Sequence, residues 1–287
     1  MDDRCDGKAD CKDGSDEEDC EVFKTFSGYN KFLVPPSAMN TPTLSINVSI
    51  YIDKIIDIDE KDGYFKTKLT LVQTWVDKQL TYQNLKRNPS YNVLSTNDIN
   101  NIWTPEMVFE NIEHKEAVKY TMKPNKIMII PRKEFTFQIE KHDDYRNIRL
   151  FEGSENTISY QQQYTVNWVC DYNMRWYPFD TQVCTMEMLN LESSVTLQPI
   201  SVKYLGPPGL TQYTIKRTEL YSGVIMNSSS IIVEVIFDRP LFGTTLTVFM
   251  PTSILLFLSQ MVRVFGKDHL EMVIEVNLTL LLVLATL

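Results

Sequence analysis

The stretch Cys170-Asp-Tyr-Asn-Met-Arg-Trp-Tyr-Pro-Phe-Asp-Thr-Gln-Val-Cys184 is the most informative part of the sequence. Thirteen residues separate its two cysteines, and a disulfide that closes a loop of this size contributes about 3 kcal/mol by restricting the unfolded chain. Taken alone, the pair indicates a stabilising disulfide in a secreted domain. The tip, Trp176-Tyr177-Pro178-Phe179, is aromatic and apolar, which is a poor composition for a loop in water. We therefore predict that the tip packs against another surface.

The chain around this loop has the two-residue period of half-buried β-strands. Apolar and polar residues alternate over 44–52 and again over 164–170, and 231–237 is a β-branched run interrupted by Glu234. Turn signals separate these runs at Asp62-Gly63, Asn88-Pro89, Gly153-Ser154 and Gly206-Pro207-Pro208-Gly209. Several short strands without a sustained helical period predict a mainly β fold, an antiparallel β-sandwich over residues 44–239.

The composition changes after residue 239. Residues 241–262 form a run of 22 residues without a charge, flanked by Arg239 and Arg263. At about 1.5 Å per residue such a helix spans roughly 33 Å, enough to cross a bilayer core. We predict a transmembrane domain over 240–287, with a first helix at 241–262 and a second at 270–287. Because the chain stops inside this second apolar stretch, we expect further chain after it.

The cysteine-bounded loop resembles the signature loop of the Cys-loop family of pentameric ligand-gated ion channels, in both its spacing and its Tyr-Pro-Phe-Asp core. Other family marks follow in the right order, and the resemblance covers roughly residues 24–287. These marks are Trp75-Val76-Asp77, Trp103-Thr104-Pro105-Glu106 (with Glu in place of the family's Asp), Arg239-Pro240-Leu241-Phe242 and Pro251. The resemblance implies an extracellular ligand-binding sandwich followed by membrane helices.

The resemblance also implies a route from the sandwich to the pore. In the family, the signature loop contacts the membrane domain, its Tyr-Pro bond is cis, and an Arg at the end of the last strand meets carboxylates of neighbouring loops. Carried onto this chain, the coupling residues are Tyr177, Pro178, Phe179, Asp180, Arg239, Asp59 and Glu60. A partly desolvated cluster of this kind is a bistable element that ligand binding can bias. The alternative is that Arg239 only anchors the helix at the lipid headgroups.

The second hydrophobic segment carries a polar stripe. Residues spaced three or four apart lie on one helical face, and carboxylates in a membrane helix usually face a water-filled cavity. Repeated around five subunits, this stripe predicts a pore lining with Leu282 as the constriction. The predicted lining residues are Glu271, Glu275, Thr279, Leu282 and Thr286. Rings of Glu favour cations, and the chain lacks the Pro-Ala-Arg run typical of anion-selective relatives, so we expect cation conduction.

The agonist positions implied by the resemblance are mostly not aromatic. Family members that bind amines enclose the ligand in an aromatic box between subunits, which exploits cation–π attraction. The corresponding positions here are Thr70, Val72, Val108, Glu110, Leu191, Tyr221 and Ser228, with Tyr204 and Tyr213 as possible neighbours. Since this box is largely absent, we do not expect acetylcholine or a simple quaternary amine as the agonist. Tyr221 is equally well explained as packing of the sandwich.

The first 21 residues carry about -7 of the net charge of -9 and three of the five cysteines. The run Cys5 to Cys20 resembles the second half of an LDL-receptor class A module, a fold held by disulfides and calcium. The resemblance implies a Cys5–Cys20 disulfide and calcium carboxylates at Asp6, Asp10, Asp16 and Glu17, which are hard oxygen ligands. Residues 1–21 are thus a partial module, and 22–43 are a linker with an N-terminal helix. We expect further chain before Met1.

Composition excludes several other classes of function. The sequence has no stripe of basic residues, so we do not expect it to bind nucleic acid. It also has no nucleophile–base pair, phosphate loop or zinc-ligand spacing, so we do not expect an enzyme. Sequons at Asn47 and Asn227 are compatible with secretion. The sequence predicts a multi-pass plasma-membrane subunit with an extracellular N-terminal domain, whose partners are other subunits of a pentamer, the lipid bilayer and a small-molecule or ionic agonist. The alternatives are a cell-surface display or endocytic receptor with a single anchor, and a soluble homologue of the binding domain.

Overall fold

A computed structural model describes residues 8, 10–14, 17, 20, 22–23, 28–37, 42–86, 88–113, 118–120, 126–131, 138–141, 147–210, 212–240, 242, 249–265, 274–275 and 278. The strands in the first half are β1 (Leu44–Asp59), β2 (Tyr64–Trp75), β3 (Thr81–Gln83), β4 (Val108–Phe109), β5 (Val118–Tyr120), β6 (Lys126–Pro131) and β7 (Gln138–Lys141). Those in the second half are β8 (Asn147–Glu152), β9 (Asn156–Val169), β10 (Thr181–Leu189), β11 (Val195–Tyr204), β12 (Thr214–Ile225) and β13 (Ser228–Asp238). Among the described residues, the α-helices with defined bounds are α1 (Thr96–Ile99) and α2 (Met250–Phe265).

The strands form three sheets. The largest has the order β11-β1-β2-β9-β5, with β6 also paired to β9, the second has the order β12-β13-β10-β4, and the third β3-β8-β7. The predicted mainly β sandwich is confirmed, with one correction to its antiparallel character: β1 and β11 pair in parallel. A strand's period shows which face is buried but carries no information about its partner, so this pairing lay outside what the pattern could predict.

The core of the sandwich follows the predicted periodicity. Along β1, every second residue from Leu44 to Ile52 is buried. Phe109 of β4 packs edge-on against Tyr164 and Trp168 of β9, with ring centres 5.0 and 5.5 Å apart. Since β4 and β9 belong to different sheets, these rings join the two layers of the sandwich.

Several predicted turns lie where strands meet. Gly63 in the β1–β2 turn has φ 71°, a conformation that glycine adopts without strain. A tight connection at Met226 and Asn227, both with positive φ, joins β12 to β13 in the manner of a two-residue hairpin.

The N-terminal helix predicted within 22–43 is not seen in the part of this segment that the structure describes. In the described part of 22–37 no helix forms, and Phe23 is buried and pairs with Tyr82 in an isolated bridge.

The chain divides into two compact units. The first comprises 1–171, 184–207 and 218–235, and contains most of the sandwich. The second comprises 172–183, 208–217 and 236–287. This division into two units does not test the predicted domain boundaries, which stay predictions.

The described helix α2 covers 16 residues, and the predicted first membrane helix at 241–262 lies partly outside the described residues. Within the part of the chain that the structure describes, no helix combines the length and apolar character needed to cross a membrane. In the second segment, Glu275 is helical and exposed. The predicted pore residues Glu271, Thr279, Leu282 and Thr286 lie outside the described residues.

Candidate functional site

Arg239 and Asp180 form a buried ion pair in the second unit. Arg239 Nε donates to Asp180 Oδ1 at 2.8 Å, and Nη2 donates to Oδ2 at 3.0 Å. The two side chains are only 6% and 2% exposed. Two parallel charge-assisted hydrogen bonds fix the direction as well as the distance of the pair, so the carboxylate and the guanidinium are held in one geometry.

The remaining surface of the guanidinium is occupied by aromatic and sulfur groups. Nη2 also donates to the hydroxyl of Tyr213 at 2.6 Å and to the sulfur of Met174 at 3.5 Å. The guanidinium carbon lies 4.8 Å from the ring centre of Tyr177 and 4.6 Å from that of Tyr213. Contacts at this range are attractive because the cation faces the electron-rich ring. Arg239 is therefore held from several sides by the second unit.

The cysteine-bounded loop positions Asp180 through its own hydrogen bonds. Gln182 Nε2 donates to Asp180 Oδ2 at 2.6 Å and to the carbonyl of Asn173 at 3.0 Å, and its Oε1 accepts from Asn173 N at 2.8 Å. The Cys170–Cys184 disulfide is present, and the Tyr177–Pro178 bond is cis, as the resemblance implied. The predicted disulfide is thus confirmed.

The environment of Asp180 sets its charge. Burial alone would raise the pKa of the carboxyl, but hydrogen bonds from Arg239 and Gln182, with the charge of Arg239, outweigh it and hold the pKa of Asp180 below its ordinary value. Asp180 is therefore ionised at neutral pH, and the pair is a true ion pair.

Tyr213 is a member of this cluster that sequence reasoning did not assign to it. The segment before β12 folds back on itself: Ile215 N donates to the carbonyl of Pro208 at 2.9 Å, and Leu210 N to that of Tyr213 at 2.7 Å. This turn buries Tyr213 completely, between Tyr172 at 6.5 Å and Phe237 at 5.9 Å. The sequence offered Tyr213 only as a neighbour of the agonist site, because no local pattern relates it to Arg239.

The tip of the loop is open. Trp176 and Phe179 are 71% and 74% exposed. Large aromatic side chains exposed together are typical of contact surfaces. What the tip contacts stays a prediction.

Asp59 and Glu60 lie in the first unit, at the turn between β1 and β2. Asp59 Oδ1 accepts from Lys61 N and Asp62 N, both at 2.9 Å, and its carbonyl accepts from Gly63 N at 3.0 Å. The carboxylate of Asp59 therefore closes its own turn. A role of Asp59 and Glu60 towards Arg239 stays a prediction.

The candidate agonist positions fall into two groups by sheet. Thr70 and Val72 lie on β2 of the six-stranded sheet. The others belong to the strands and connections of the four-stranded sheet: Val108 on β4, Glu110 after it, Leu191 after β10, Tyr221 on β12 and Ser228 at the start of β13. Leu191 is 67% exposed and Tyr221 is 43% exposed, with its hydroxyl bonded to Glu219. Apart from Tyr221, none of these positions supplies a ring.

The two tryptophan motifs belong to the core of the first unit. Trp75 and Trp103 pack edge-on with ring centres 5.7 Å apart. Asp77 accepts from the hydroxyl of Tyr29 at 2.9 Å, and that hydroxyl accepts from Trp103 N at 3.0 Å. Burial raises the pKa of Asp77, partly offset by hydrogen bonds from Gln79 and Tyr29. These motifs therefore join the N-terminal segment to the sandwich.

The predicted calcium site is only partly within the described residues. Asp10 and Glu17 are described, whereas Asp6, Asp16 and Cys5 lie outside. Cys20 is disulfide-bonded. Among the described residues, no group of three or more His, Cys, Asp or Glu side chains is placed to hold a metal ion. The calcium ligands and the Cys5–Cys20 pairing stay predictions.

Comparisons with known proteins agree with this fold and loop. The neurotransmitter-gated ion-channel ligand-binding domain matches residues 21–203, which is more than half of the chain. The chain is 22% identical to the acetylcholine receptor subunit beta-type acr-2 of Caenorhabditis elegans over 94% of its length and 43% of the relative. It is 26% identical to the gamma-aminobutyric acid receptor subunit beta-4 of Gallus gallus, over 58% of the chain and 28% of the relative. With the glutamate-gated chloride channel of Drosophila melanogaster it shares 21% identity over 60% of the chain and 33% of the relative.

The chain spans less than half the length of these curated relatives. Receptors of this family are not enzymes, in agreement with the absence of catalytic motifs from the sequence. The matched region contains the signature loop, the strands β1 to β10 and most of β11, whereas β12 and β13 lie beyond it. The chain belongs to the neurotransmitter-gated ion-channel ligand-binding domain family.

Proposed function

We propose that this chain is part of one subunit of an extracellular-ligand-gated ion channel of the plasma membrane, in which agonist binding between five subunits opens a pore. The observation that carries the proposal is the buried Arg239–Asp180 pair, in which Asp180 directly follows the exposed aromatic tip of the loop. A buried ion pair is weak evidence for stability, because apolar residues of similar volume often stabilise a fold equally well. Its geometry suits an element with two discrete arrangements that a ligand can bias.

The surface of α2 supports a membrane or subunit partner. Ile254, Leu256, Phe257 and Leu258 are each about half exposed in the isolated chain. At 100° per residue these positions point to different sides of the helix. Apolar side chains exposed on several sides need a covering partner, and in the proposed channel neighbouring helices and lipid provide it.

The division of the candidate agonist positions between two sheets supports a site completed by a neighbouring subunit. A ring of identical subunits closes through a heterologous interface, in which two different faces of the subunit meet. In this proposal Thr70 and Val72 face one neighbour, and the positions on the four-stranded sheet face the other. Each agonist site then draws residues from two chains.

We propose cation conduction, on the predicted rings of Glu271 and Glu275. The relatives include proteins whose names specify chloride, among them a glutamate-gated chloride channel and an acetylcholine-gated chloride channel subunit. Chloride conduction is therefore the second candidate, and the reversal potential of the current separates the two.

We propose an agonist other than a simple quaternary amine. Relatives include an acetylcholine receptor subunit and a betaine receptor, but cation–π recognition of such ligands requires aromatic rings. Only Tyr221 among the candidate positions has one. Amines with N–H donors, amino acids, protons and metal ions remain in the proposed class.

For the N-terminus we propose a partial LDL-receptor class A module over residues 1–21. Asp6, Asp10, Asp16 and Glu17 would hold calcium through carboxylate oxygens, with Cys5 bonded to Cys20, as a structural element or a docking aid. This module also fits the alternative of a display receptor with a single anchor, which needs no coupling pair.

The decisive experiment is voltage-clamp recording of the full-length subunit in oocytes, with amines, amino acids, protons and divalent metals as test ligands. An evoked current that is lost in Arg239→Gln and kept in Arg217→Gln supports the proposal. Arg217→Gln is the control because it removes the same charge from an exposed arginine on β12. A reversal potential that follows sodium supports cation conduction, and one that follows chloride overturns it. Silence at full surface expression, with and without co-expressed subunits, favours the display receptor.

A further inference from the structure

The aromatic tip of the cysteine-bounded loop is fixed beside the residue that leads into the apolar run. Arg239 is two residues before the uncharged run 241–262. Its partner Asp180, with nitrogen and oxygen 2.8 Å apart, directly follows Phe179. The ring centre of Tyr177 lies 4.8 Å from the guanidinium carbon of Arg239. All of these residues belong to the second unit, so the buried pair holds the tip where the chain enters the run.

The tip is a tight turn with one inner and one outer side. Phe179 N donates to the carbonyl of Trp176 at 2.7 Å, which closes the turn. Pro178 is buried, and the ring of Tyr177 faces Arg239. Trp176 and Phe179, at the two ends of the turn, are instead 71% and 74% exposed. The inner side is therefore occupied by the arginine, and the outer side presents two large rings.

A positive charge accompanies these rings. The guanidinium carbon of Arg175 lies 5.9 Å from the ring centre of Trp176, and Arg175 is exposed. None of the described ion pairs includes Arg175, and the buried carboxylate of Asp180 is already bonded to Arg239. Phe242, the second residue of the apolar run, is 79% exposed as well. Exposed aromatic rings and a cation without a described countercharge thus lie close in the chain to the predicted membrane entry.

The headgroup layer of a bilayer suits both features. Tryptophan is enriched at the membrane–water interface, where its amphipathic ring lies among the headgroups. Lipid phosphates supply a countercharge, and a guanidinium binds phosphate through two donors. Water alone would leave the rings of Trp176 and Phe179 uncovered. An apolar protein surface would cover the rings but leave the charge of Arg175 unpaired, which is costly.

We propose that the loop tip, Arg175 to Phe179, docks on the phospholipid headgroups of the bilayer. The ring of Trp176 lies among the headgroups, and Arg175 binds lipid phosphate. The inference rests on the proposed function, because it requires the run 241–262 to cross the membrane. The loop that carries Asp180 is then held by lipid on its outer side and by Arg239 on its inner side.

The test is tryptophan fluorescence of the full-length subunit in vesicles of phosphatidylcholine and phosphatidylglycerol whose acyl chains are brominated near the headgroup. The other described tryptophans, Trp75, Trp103 and Trp168, are buried in the first unit. Bromine quenches only rings that it approaches, so the difference between the unaltered subunit and Trp176→Phe isolates Trp176. We expect quenching that is lost in Trp176→Phe. Arg175→Gln should weaken docking of the tip on these vesicles about fivefold, and quenching should fall accordingly.

The matched control moves the exposed ring to the first unit. Tyr91 is 72% exposed, so Tyr91→Trp combined with Trp176→Phe presents a tryptophan of similar exposure there. Iodide, a quencher dissolved in water, should quench this tryptophan, and the brominated lipid should not. Trp176 in the unaltered subunit should show the opposite pattern.

Two patterns would overturn the proposal. Quenching of Trp176 by iodide but not by brominated lipid places the tip in water, and quenching by neither shows that a protein segment covers it. Equal quenching in Arg175→Gln and the unaltered subunit overturns the phosphate contact.

Recording and extraction separate this proposal from the proposed function. A subunit that carries an evoked current without lipid quenching of Trp176 overturns the docking alone. A subunit whose Trp176 is quenched by lipid but that never conducts supports the docking and counts against the channel. A subunit that alkaline extraction removes from the vesicles overturns both.

Discussion

The hydroxyl of Tyr213 accepts a 2.6 Å hydrogen bond from the same Nη2 of Arg239 that donates to Asp180. Tyr213 belongs to the connection between β11 and β12, and Asp180 to the cysteine-bounded loop. Thr214, the first residue of β12, also donates from its Oγ1 to the carbonyl of Asp238 at 3.1 Å, so two adjacent residues, Tyr213 and Thr214, are bonded to the adjacent residues Arg239 and Asp238. Movement of either loop therefore changes the environment of the arginine.

Replacing Tyr213 with Phe tests this contact. The ring stays in its buried site, but a donor of the guanidinium loses its acceptor, and hydrogen bonds to charged groups contribute about 1.5–3 kcal/mol. We expect the free energy of unfolding, measured by chemical denaturation, to fall by about that amount. Tyr91→Phe is the control, since Tyr91 is 72% exposed, and it is expected to have no effect. Equal stabilities of Tyr213→Phe and the unaltered chain would show that the hydroxyl bond contributes nothing.

Removal of one partner of the buried pair should be more damaging. Asp180→Asn leaves the guanidinium of Arg239 without a countercharge in a site that is 6% exposed, and breaking such a pair costs about 3–5 kcal/mol. We expect Asp180→Leu combined with Arg239→Met to be less destabilised than the sum of the single replacements, which a double-mutant cycle measures.

The exposed pair of Lys216 with Asp238 provides the contrast. Its nitrogen and oxygen are 3.0 Å apart, but its side chains are 53% and 36% exposed, and such pairs contribute about 0–1 kcal/mol. Lys216→Gln should therefore change stability little. A cost equal to that of Asp180→Asn would contradict the role of burial in this argument.

The loop disulfide and the cis bond were predicted from the sequence, whereas the contact between Tyr213 and Arg239 was not. The loop disulfide follows from two cysteines that lie close together in the sequence, and the cis bond before Pro178 was implied by the resemblance of this loop to the family's signature loop. Tyr213 and Arg239 are 26 positions apart, and β12 and β13 lie between them. No periodicity or capping signal links such residues, because their contact is created by the fold.

The same distinction holds for the sheets. Burial along β1 was predictable, because the side chains alternate between the two faces of a strand. The parallel partner of β1, and the register shift of β1 between Ile52 and Lys54, depend on the pairing of β1 with other strands. The turn at Met226-Asn227 lacks the usual Asn-Gly signature, so the sequence did not indicate it either.

The lowered pKa of Asp180 predicts a loss of stability in acid. Because the folded-state pKa lies below that of the unfolded chain, the stabilisation is fully present above about pH 3.9 and is lost as pH falls through the folded-state value. The pKa of Asp238 is also lowered: burial raises it, but hydrogen bonds from Lys216 and Thr181 outweigh that effect. The difference in unfolding free energy between the unaltered chain and Asp180→Asn isolates Asp180. We expect this difference to be constant from pH 7 to about 5 and to shrink below about 4. A difference that stayed constant down to pH 2 would contradict the pKa shift.

Gly153 is required by the space around it. A Cβ at this position would overlap the carbonyl oxygen of Asp77 and lie 2.6 Å from that of Leu80. Both are backbone atoms, and Leu80 O already accepts from Gly153 N at 2.9 Å. We expect Gly153→Ala to destabilise the first unit by about 1–3 kcal/mol or more. Gly209→Ala, where a Cβ meets nothing within 4 Å, should change stability by less than about 0.5 kcal/mol.

Asn227 lies exposed at the tip of the β12–β13 hairpin and begins the sequon Asn227-Ser228-Ser229. Glycans are attached to such sequons on surfaces of secreted proteins, so an extracellular sandwich is expected to carry one here. Expressed in animal cells, the full-length subunit should lose mass on treatment with a peptide N-glycosidase, and Asn227→Gly should abolish one step of that loss. Glycine is the appropriate replacement because Asn227 has φ 64°, which glycine adopts without strain. Ser229→Thr serves as the control, because it keeps the sequon and a hydroxyl where Ser229 accepts from Leu197 N at 2.8 Å. If the mass loss is the same in Asn227→Gly as in the unaltered subunit, this tip carries no glycan, and a glycan on Asn47 alone would still place the sandwich outside the cell.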